Sequence, residues 1–347
     1  MLVGIMTNFK KPTELATITS IVSKYYNIDI IYFTPNDVNL EEKKIYGKMY
    51  VNHEWKDMNR EIPAFIDAAP YCFLKKNRKV TDFLRQHAML SDNRTNVLNK
   101  TQVQNLFQND PSFHHLVIPT YDVKKFDDII KGIEKYGTVV LKPKNGIKGK
   151  GVYLISLKEE KFMVGHYKKL YTYSRHEFEE LYRSEMIQRK YILQKYVSSR
   201  SKQGDPFDCR VHVEKNGKGE WESANNYIRI GIGQKVISNV NQGGGISKLK
   251  PFLKENYPEA FEDIYRKIQR IATMVPRKIE ELRGTHIMSL GIDVGIDSDG
   301  ELYLFEVNDG PATFAVLSEV ALLRSGYYRY IFDHVLAYGL SDYGKPY

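Results

Sequence analysis

The chain has 347 residues, and its 51 lysines and arginines against 42 aspartates and glutamates give a formal net charge of +9. Hydrophobic residues make up 42% and charged residues 27%, which excludes disorder, collagen-like repeats and a disulfide scaffold as descriptions of the whole chain. The length predicts two or three packed domains. The positive surplus favours an anionic partner, which could be nucleic acid, a membrane surface or a phosphorylated small molecule.

Cysteine content and hydropathy indicate the compartment. Cys72 and Cys209 could form at most one internal disulfide, which is typical of the reducing cytoplasm rather than of a secreted framework. The first residues lack a secretory signal pattern, and no apolar run approaches the roughly 20 residues of a membrane helix. We therefore expect a cytoplasmic protein without a membrane segment.

The chain begins with a strand, a helix and a strand. Apolar runs at 2–6 and 28–33 predict buried strands, and apolar residues at helical spacing lie between them. This order is typical of an α/β unit with a parallel sheet, although the first turn has no Gly-rich dinucleotide motif. The pattern is then weak, apart from a helix at 80–87, until a polar stretch that ends at Arg94 and predicts a domain boundary.

Helices and strands alternate through the rest of the chain, without an internal repeat. Helices are predicted from about Thr101, over 126–133, around Phe178 and over about 257–282. Extended segments or strands are predicted at 114–119, 138–142, 152–157, 191–197, 208–214, 220–230, 290–296 and 301–307. The mixture predicts an α/β (α+β) fold class.

The first chemically informative segment covers residues 139–152. An apolar strand delivers Lys142 into a loop that contains three glycines and three further lysines. Glycines let backbone N–H groups approach an anion and lysines add positive charge, so the loop is suited to cover phosphates. It is not a P-loop, because no Gly-Lys-Ser/Thr occurs and a strand follows. Taken alone, a solvated basic hairpin is an equally good interpretation.

The second informative segment is a late hairpin whose turn is Ser298-Asp299-Gly300. Asp293 lies on its first strand, and Glu306 and Asn308 lie two residues apart on its second strand, where they share a face. Carboxylate and amide oxygens are the ligands that Mg²⁺ prefers. The alternative is that both carboxylates face solvent, but they lie within apolar strands, where an unpaired charge is costly.

Both segments, in this order, resemble the ATP-grasp superfamily. The closer resemblance is to its YheC/YheD branch, bacterial proteins associated with spore coats, and it covers roughly residues 94–312. The matching residues are Asn99-Lys100, Leu141-Lys142-Pro143, YILQKYV at 191–197, PFDCRV at 206–211, YIRIG at 227–231, and SNV at 238–240 followed by Gly243-Gly244. Each short match is weak, whereas the ordered set is specific.

The resemblance implies a role for each matching residue. Lys100 and Lys142 would contact ATP phosphates, with the adjoining loop closing over them through Lys144, Gly146, Lys148, Gly149 and Gly151. The backbone of Lys195 and Val197 would bond the adenine edge, beside the Gln194 side chain. Mg²⁺ would be held by Asp293, Glu306 and Asn308. The γ-phosphate, or the acyl phosphate made from it, would face Arg210, Arg229 and Asn239.

The implied architecture is an ATP-grasp fold, with an N-terminal α/β domain (1–93), a lid subdomain (94–190) and a C-terminal subdomain with the metal site (191–347). The implied activity is an ATP- and Mg²⁺-dependent ligase that joins a small-molecule or peptide carboxylate to an amine through an acyl phosphate. Two alternatives stay open: an ATP-grasp kinase, or a non-catalytic nucleotide-binding spore-coat protein. Nucleic acid is an unlikely partner, since no binding motif for it is present.

Several residues depart from the family pattern or have a simpler interpretation. Gln194 stands where many ATP-grasp enzymes have an acid, and Asp309 is an additional acid beside the proposed metal ligands. Arg210 could instead form a structural ion pair with Asp208 or another acid. The segment 67–73 lacks the expected Tyr-Asp-Arg-like motif, which leaves the role of the first domain and the identity of the acceptor open.

Overall fold

A computed structural model describes residues 1–144, 151–166, 169–187, 190–231 and 244–338. Within these ranges the strands form three sheets. No helix in the described part of the chain has the length and apolar character needed to span a bilayer.

The first sheet lies in the N-terminal part of the chain. Its strands and the two helices beside it are β1 (Leu2–Met6), α1 (Glu14–Ser23), β2 (Asp29–Phe33), β3 (Val38–Asn39), β4 (Lys44–Val51), β5 (Glu54–Glu61), β6 (Phe65–Ala68), α2 (Arg78–His87) and β7 (Met89–Leu90). The strand order is β3-β4-β2-β1-β6-β7, with β5 paired to β4. Strands β2, β1, β6 and β7 are parallel, so their carboxyl ends meet at one edge.

The second sheet is antiparallel, in the order β12-β11-β10-β9-β13-β8. Helix α3 (Lys100–Gln108) precedes this sheet, and its buried Val103 and Phe107 belong to a different core. The elements of the second sheet are β8 (Thr120–Val123), α4 (Phe126–Tyr136), β9 (Thr138–Pro143), β10 (Tyr153–Lys158), β11 (Lys161–His166), β12 (Lys169–Tyr173), α5 (Arg175–Leu181) and β13 (Tyr191–Lys195). Apolar residues of α4 and α5 pack with those of the strands in one core, and Lys142 lies near the end of β9, next to the buried Leu141 of this core.

The third sheet has the order β16-β15-β14-β17-β18 and is also antiparallel. Its elements are β14 (Phe207–Lys215), β15 (Trp221–Ile230), β16 (Gly245–Lys248), α6 (Leu249–Asn256), α7 (Phe261–Arg283), β17 (Ser289–Ile296), β18 (Leu302–Asn308) and α8 (Leu317–Tyr330). Helix α7 buries isoleucines at helical spacing against the sheet, and α8 packs against α1 of the first sheet.

The mixed α/β fold class is confirmed. One element differs from its prediction: residues 114–119 were expected to be extended, whereas His114–Leu116 is a 3₁₀ turn. The backbone N–H groups of Leu116 and Val117 donate to the carbonyls of Phe113 and His114, which closes this stretch into a turn. The proposed domain boundaries remain a prediction; strand β13, which begins one residue after the boundary at 190, pairs with β9 and β8.

Candidate nucleotide and metal site

Asp293 lies at the centre of a buried group of charges. Strand β17 runs between β14 and β18, and this register places Asp293 opposite Arg210 on one side and opposite Glu306 on the other. Only 7% of Asp293 is exposed. Its carboxylate accepts both Nε and a terminal nitrogen of Arg210, the latter at 3.2 Å, and the amide of Asn308 at 3.3 Å. These donors offset the cost of burying the carboxylate.

A second arginine completes this group. Arg229 bonds both oxygens of Asp208, at 2.7 and 2.9 Å, and a terminal nitrogen lies 3.0 Å from Asp293. Burial acts to lower the pKa of Arg229, but Asp208 and Asp293 outweigh it and raise that pKa. Asp208 pairs with Arg229, whereas Arg210 pairs with Asp293, so the alternative of an ion pair between Arg210 and an acid is found with Asp293 as that acid. We call Asp208, Arg210, Arg229 and Asp293 the arginine–carboxylate cluster.

Lys100 pairs with Glu306 of the third sheet, and Lys142 of the second sheet lies near enough to respond to both charges. The ammonium of Lys100, at the start of α3, lies 2.8 Å from Glu306 on β18. Lys142 on β9 belongs to the same group of charges. The pKa of Lys142 is lowered to about 8, chiefly by burial and also by the charge of Lys100, while Glu306 opposes both effects. The structure thus brings together the two lysines that were proposed to contact phosphates.

The proposed adenine-binding segment lies at the end of β13. The buried Gln194 donates to the Thr120 hydroxyl at 2.8 Å, and the ammonium of Lys195 lies 5.3 Å from the Tyr303 ring centroid. The backbone N–H of Lys195 donates to Pro119, and the carbonyl of Val197 accepts from Ser199. Only the remaining backbone groups of this segment could bond a base.

The proposed loop residues are divided between described and undescribed parts of the chain. Lys144 pairs with Asp122 on β8 at 2.7 Å, and Gly151 has a φ of 74°, a conformation that favours glycine. Gly146, Lys148, Gly149 and Asn239 lie outside the described residues. The role of this loop stays a prediction.

The proposed metal ligands have the chemistry of a hard-cation site. Asp293, Glu306 and Asn308 supply two carboxylates and one amide oxygen on neighbouring strands. No cluster of three His, Cys, Asp or Glu side chains suited to a metal occurs among the described residues, so the amide of Asn308 and water would have to complete the coordination. Both carboxylates already have cationic partners, which shows that this position stabilises positive charge.

Sequence reasoning named Asp208 and Asp309 but assigned neither a place in the site. Asp208 lies within the PFDCRV motif and faces Arg229 across the β14–β15 pair, so the hairpin register could have identified their pairing. Asp309 lies 3.0 Å from Arg94, a contact between residues 215 positions apart that no local pattern reveals.

Comparison with known proteins agrees with this arrangement. A family model described as YheC/D-like ATP-grasp matches residues 90–336. The endospore coat-associated protein YheC of Bacillus subtilis (strain 168) is 24% identical over 312 residues, which cover 84% of this chain and 83% of YheC. The endospore coat-associated protein YheD of the same organism is 25% identical over 299 residues, which cover 80% of this chain but only 63% of YheD.

A solved structure shares the fold at low sequence identity. The ATP-grasp ligase PsnB, complexed with minimal precursor, Mg and ADP, superposes with a TM-score of 0.52 at 9% identity, covering 95% of this chain and 98% of PsnB. The match shows an ATP-grasp fold. Together with the family model, it leads to one conclusion: the chain belongs to the YheC/D-like ATP-grasp family.

Proposed function

We propose that this protein is an ATP- and Mg²⁺-dependent ligase that joins a carboxylate to an amine through an acyl phosphate. The observation that carries the proposal is the meeting of Lys100 and Lys142 with Glu306, from different sheets, beside the arginine–carboxylate cluster. Family membership supports nucleotide binding, and the name of PsnB supports a ligase reaction.

The cleft has the residue types that phosphoryl transfer requires. This reaction needs neutralisation of charge and in-line positioning of the reactants, and no protein nucleophile. The two lysines would neutralise the phosphates as a substrate carboxylate attacks the γ-phosphorus. The guanidinium of Arg210, held by Asp293, would stabilise charge on the phosphoryl group that is transferred. Arg229 would keep the Asp293 carboxylate in place. Mg²⁺, held by Asp293, Glu306 and Asn308, would supply further positive charge.

The cysteines give no competing nucleophile. Cys72 and Cys209 are both fully buried, and burial raises the pKa of Cys72 to about 12 and raises that of Cys209. Neither thiol would ionise readily near neutral pH. The reaction is therefore best assigned to direct transfer between bound substrates.

Hydroxylamine trapping tests the proposal. Protein, ATP, Mg²⁺ and hydroxylamine are incubated with a panel of carboxylates, and ADP and hydroxamate are measured. We expect hydroxamate to form together with ADP for at least one carboxylate. ADP together with a phosphorylated product but no hydroxamate would contradict ligation and identify a kinase.

A non-catalytic role is the second candidate, because both curated relatives are described as endospore coat-associated. In that case the chain would keep the fold, with or without bound nucleotide, as a spore-associated structural component. Absence of ADP binding in the presence of Mg²⁺ would favour this role. The convergence of Lys142, Glu306 and Asp293 argues against it, since buried charges are costly in a purely structural protein.

A further inference from the structure

A cavity of about 460 Å³ lies at the edge where the parallel strands β1 and β6 end. The segment after β18 and helix α8 close its other side. This cavity adjoins the arginine–carboxylate cluster. A Cβ placed on Gly291 would lie 2.7 Å from Pro311, which lines the cavity, and 3.0 Å from the Arg210 guanidinium.

The lining of the cavity has more carboxylates than guanidinium groups. Asp67, only 7% exposed, accepts Arg324 at 3.1 Å and the Tyr328 hydroxyl at 2.6 Å on one oxygen, and Arg324 also lies 3.0 Å from Glu214. The other Asp67 oxygen has one partner among the described residues, the Ser91 hydroxyl at a long 3.4 Å. That oxygen is thus weakly satisfied, in a residue that lines the cavity.

The remaining charges near the cavity do not remove this excess. The buried His212 ring bonds Glu214 through Nε2 at 2.9 Å, so Glu214 has a second partner besides Arg324. Asp92 and Asp309 are balanced by Arg94 and Arg283. Among the residues that line the cavity, Glu14 and Asp67 then remain against a single guanidinium, that of Arg324, so the cavity keeps a net negative charge in a chain whose overall charge is +9.

Three aromatic side chains surround the mouth of the cavity, each from a different connecting segment. Phe9, Tyr71 and Phe314 are 59%, 65% and 54% exposed, although large apolar side chains are usually buried. A group of exposed aromatic rings around a cavity is typical of a site that binds an apolar or aromatic molecule.

We propose that this cavity binds the amine substrate, a primary amine carried on an apolar or aromatic body. Its ammonium group pairs with the weakly satisfied oxygen of Asp67, and its body contacts the rings at the mouth. The role of the amine as acceptor rests on the ligase function proposed above. The preference of the cavity for a cation depends only on its own charges.

Calorimetry with the full chain and three probes of similar shape tests this proposal. The probes are 2-phenylethylamine, 3-phenylpropionate and 2-phenylethanol, which carry positive, negative and no charge. We expect the amine to bind about tenfold more tightly than the other two, a difference typical of one buried charge pair. In Asp67→Asn this preference should disappear. Tighter binding of the acid, or equal binding of all three probes, would overturn the proposal.

Phe314→Ala provides a second test that does not depend on a buried residue. It should weaken amine binding several-fold, whereas Tyr25→Ala, which removes an 85% exposed ring away from the cavity, should have no effect. Equal effects of the two variants would count against the proposed contact. Titration of ADP with Mg²⁺ on the same samples separates the amine site from the ligase function. Binding of ADP without binding of the amine overturns only the amine site. Binding of the amine without binding of ADP overturns only the ligase function.

Discussion

At the scale of single residues, the partners of Asp293 determine how the cleft is charged. The sequence identifies Asp293, Arg210 and Arg229 as polar residues in apolar strands, but it does not show which ones pair. Asp208 and Arg210 are two residues apart and share a strand face, so an ion pair between them was a reasonable expectation. Arg210 pairs with another acid instead, because the strand register places Asp293 of β17 directly opposite it.

Lys142 should make nucleotide binding depend on pH. Its pKa is lowered from 10.5 to about 8, chiefly by burial, and bound phosphates would raise it again, so the protonated amine favours binding. Affinity for ADP should be constant below about pH 8 and fall as the pH rises above it. Calorimetry across this range should show the fall in wild type but not in Lys142→Met.

Lys100→Met is the matched control for this prediction. The charge of Lys100 lowers the pKa of Lys142, so removing it should move the fall in affinity to higher pH. Identical pH profiles in wild type and Lys142→Met would show that Lys142 does not face the nucleotide. The charge on Lys142 also costs stability below about pH 8, a cost that disappears as the pH rises towards 10.5.

Glu306→Gln should separate metal binding from folding. The Glu306 side chain is 29% exposed and pairs with the exposed Lys100, so its loss should change the free energy of unfolding by less than about 1 kcal/mol. The strengthening of ADP binding by Mg²⁺ should nevertheless be greatly reduced. Titration of ADP with and without Mg²⁺ measures this effect, and an unchanged Mg²⁺ dependence would exclude Glu306 as a ligand.

Asp293→Asn is the variant to compare with Glu306→Gln. It leaves Arg210 and Arg229 with one carboxylate fewer in a buried cluster, so we expect a loss of about 3–5 kcal/mol in stability together with the loss of Mg²⁺ dependence. Chemical unfolding distinguishes the two variants. Equal stability in both would show that the arginine–carboxylate cluster contributes little to folding.

At the scale of secondary-structure elements, the sequence predicts those that carry a regular apolar pattern. The hairpin of β17 and β18 has apolar strands and an Asp-Gly turn, and α7 has apolar residues at helical spacing, so both could be predicted. Strand β5 is largely charged and exposed, and its extended form depends on pairing with β4 along its full length. Helix α8 buries residues around much of its circumference, because it packs against both α1 and the third sheet. Its sequence therefore lacks the apolar stripe along one face from which a helix is usually predicted.

Gly291 on β17 tests how closely the elements approach at the cleft. A methyl group there would lie 2.7 Å from Pro311 and 3.0 Å from Arg210, so Gly291→Ala should cost about 1–3 kcal/mol in unfolding free energy and lower ATP consumption by moving Arg210. Gly217→Ala is the control, because its nearest neighbours would lie at 3.6 Å. Equal stability of the two variants would contradict the close packing.

At the scale of the whole molecule, buried polar contacts join the sheets. Arg324 on α8 links Asp67 of the first sheet to Glu214 of the third, and Ser325 bonds Ser23 of α1 at 2.9 Å. These partners are more than 100 residues apart in sequence, so the apolar pattern could predict the separate sheets but not their joining. The cavity proposed to bind an amine exists only because these parts meet.

Arg324→Met should therefore destabilise the whole chain. It leaves Glu214 and Asp67 buried without their shared cation, at a cost of about 3–5 kcal/mol at neutral pH. Burial acts to raise the pKa of Glu214, but Arg324 and His212 lower it overall. The stability that this lowered pKa provides is present at neutral pH and is lost as the pH falls below the ordinary value of 4.5.

Chemical unfolding at neutral and acidic pH measures this effect. The difference between wild type and Arg324→Met should shrink at low pH, where the carboxylates of both proteins become protonated. Arg329→Met, which removes an exposed pair with Asp333 on the same helix, should change stability by less than about 1 kcal/mol. An Arg324→Met variant as stable as Arg329→Met would show that this contact does not hold the sheets together.

The central claim is that the cleft around Lys142, Glu306 and Asp293 binds ATP with Mg²⁺. Calorimetric titration of ADP with and without Mg²⁺ tests it most directly, because it requires no knowledge of the carboxylate or the amine. We predict that ADP binds wild type more tightly with Mg²⁺ and binds Lys142→Met about tenfold less tightly under the same conditions. A folded wild-type protein that binds no ADP, or a Lys142→Met variant that binds it equally well, would contradict the account.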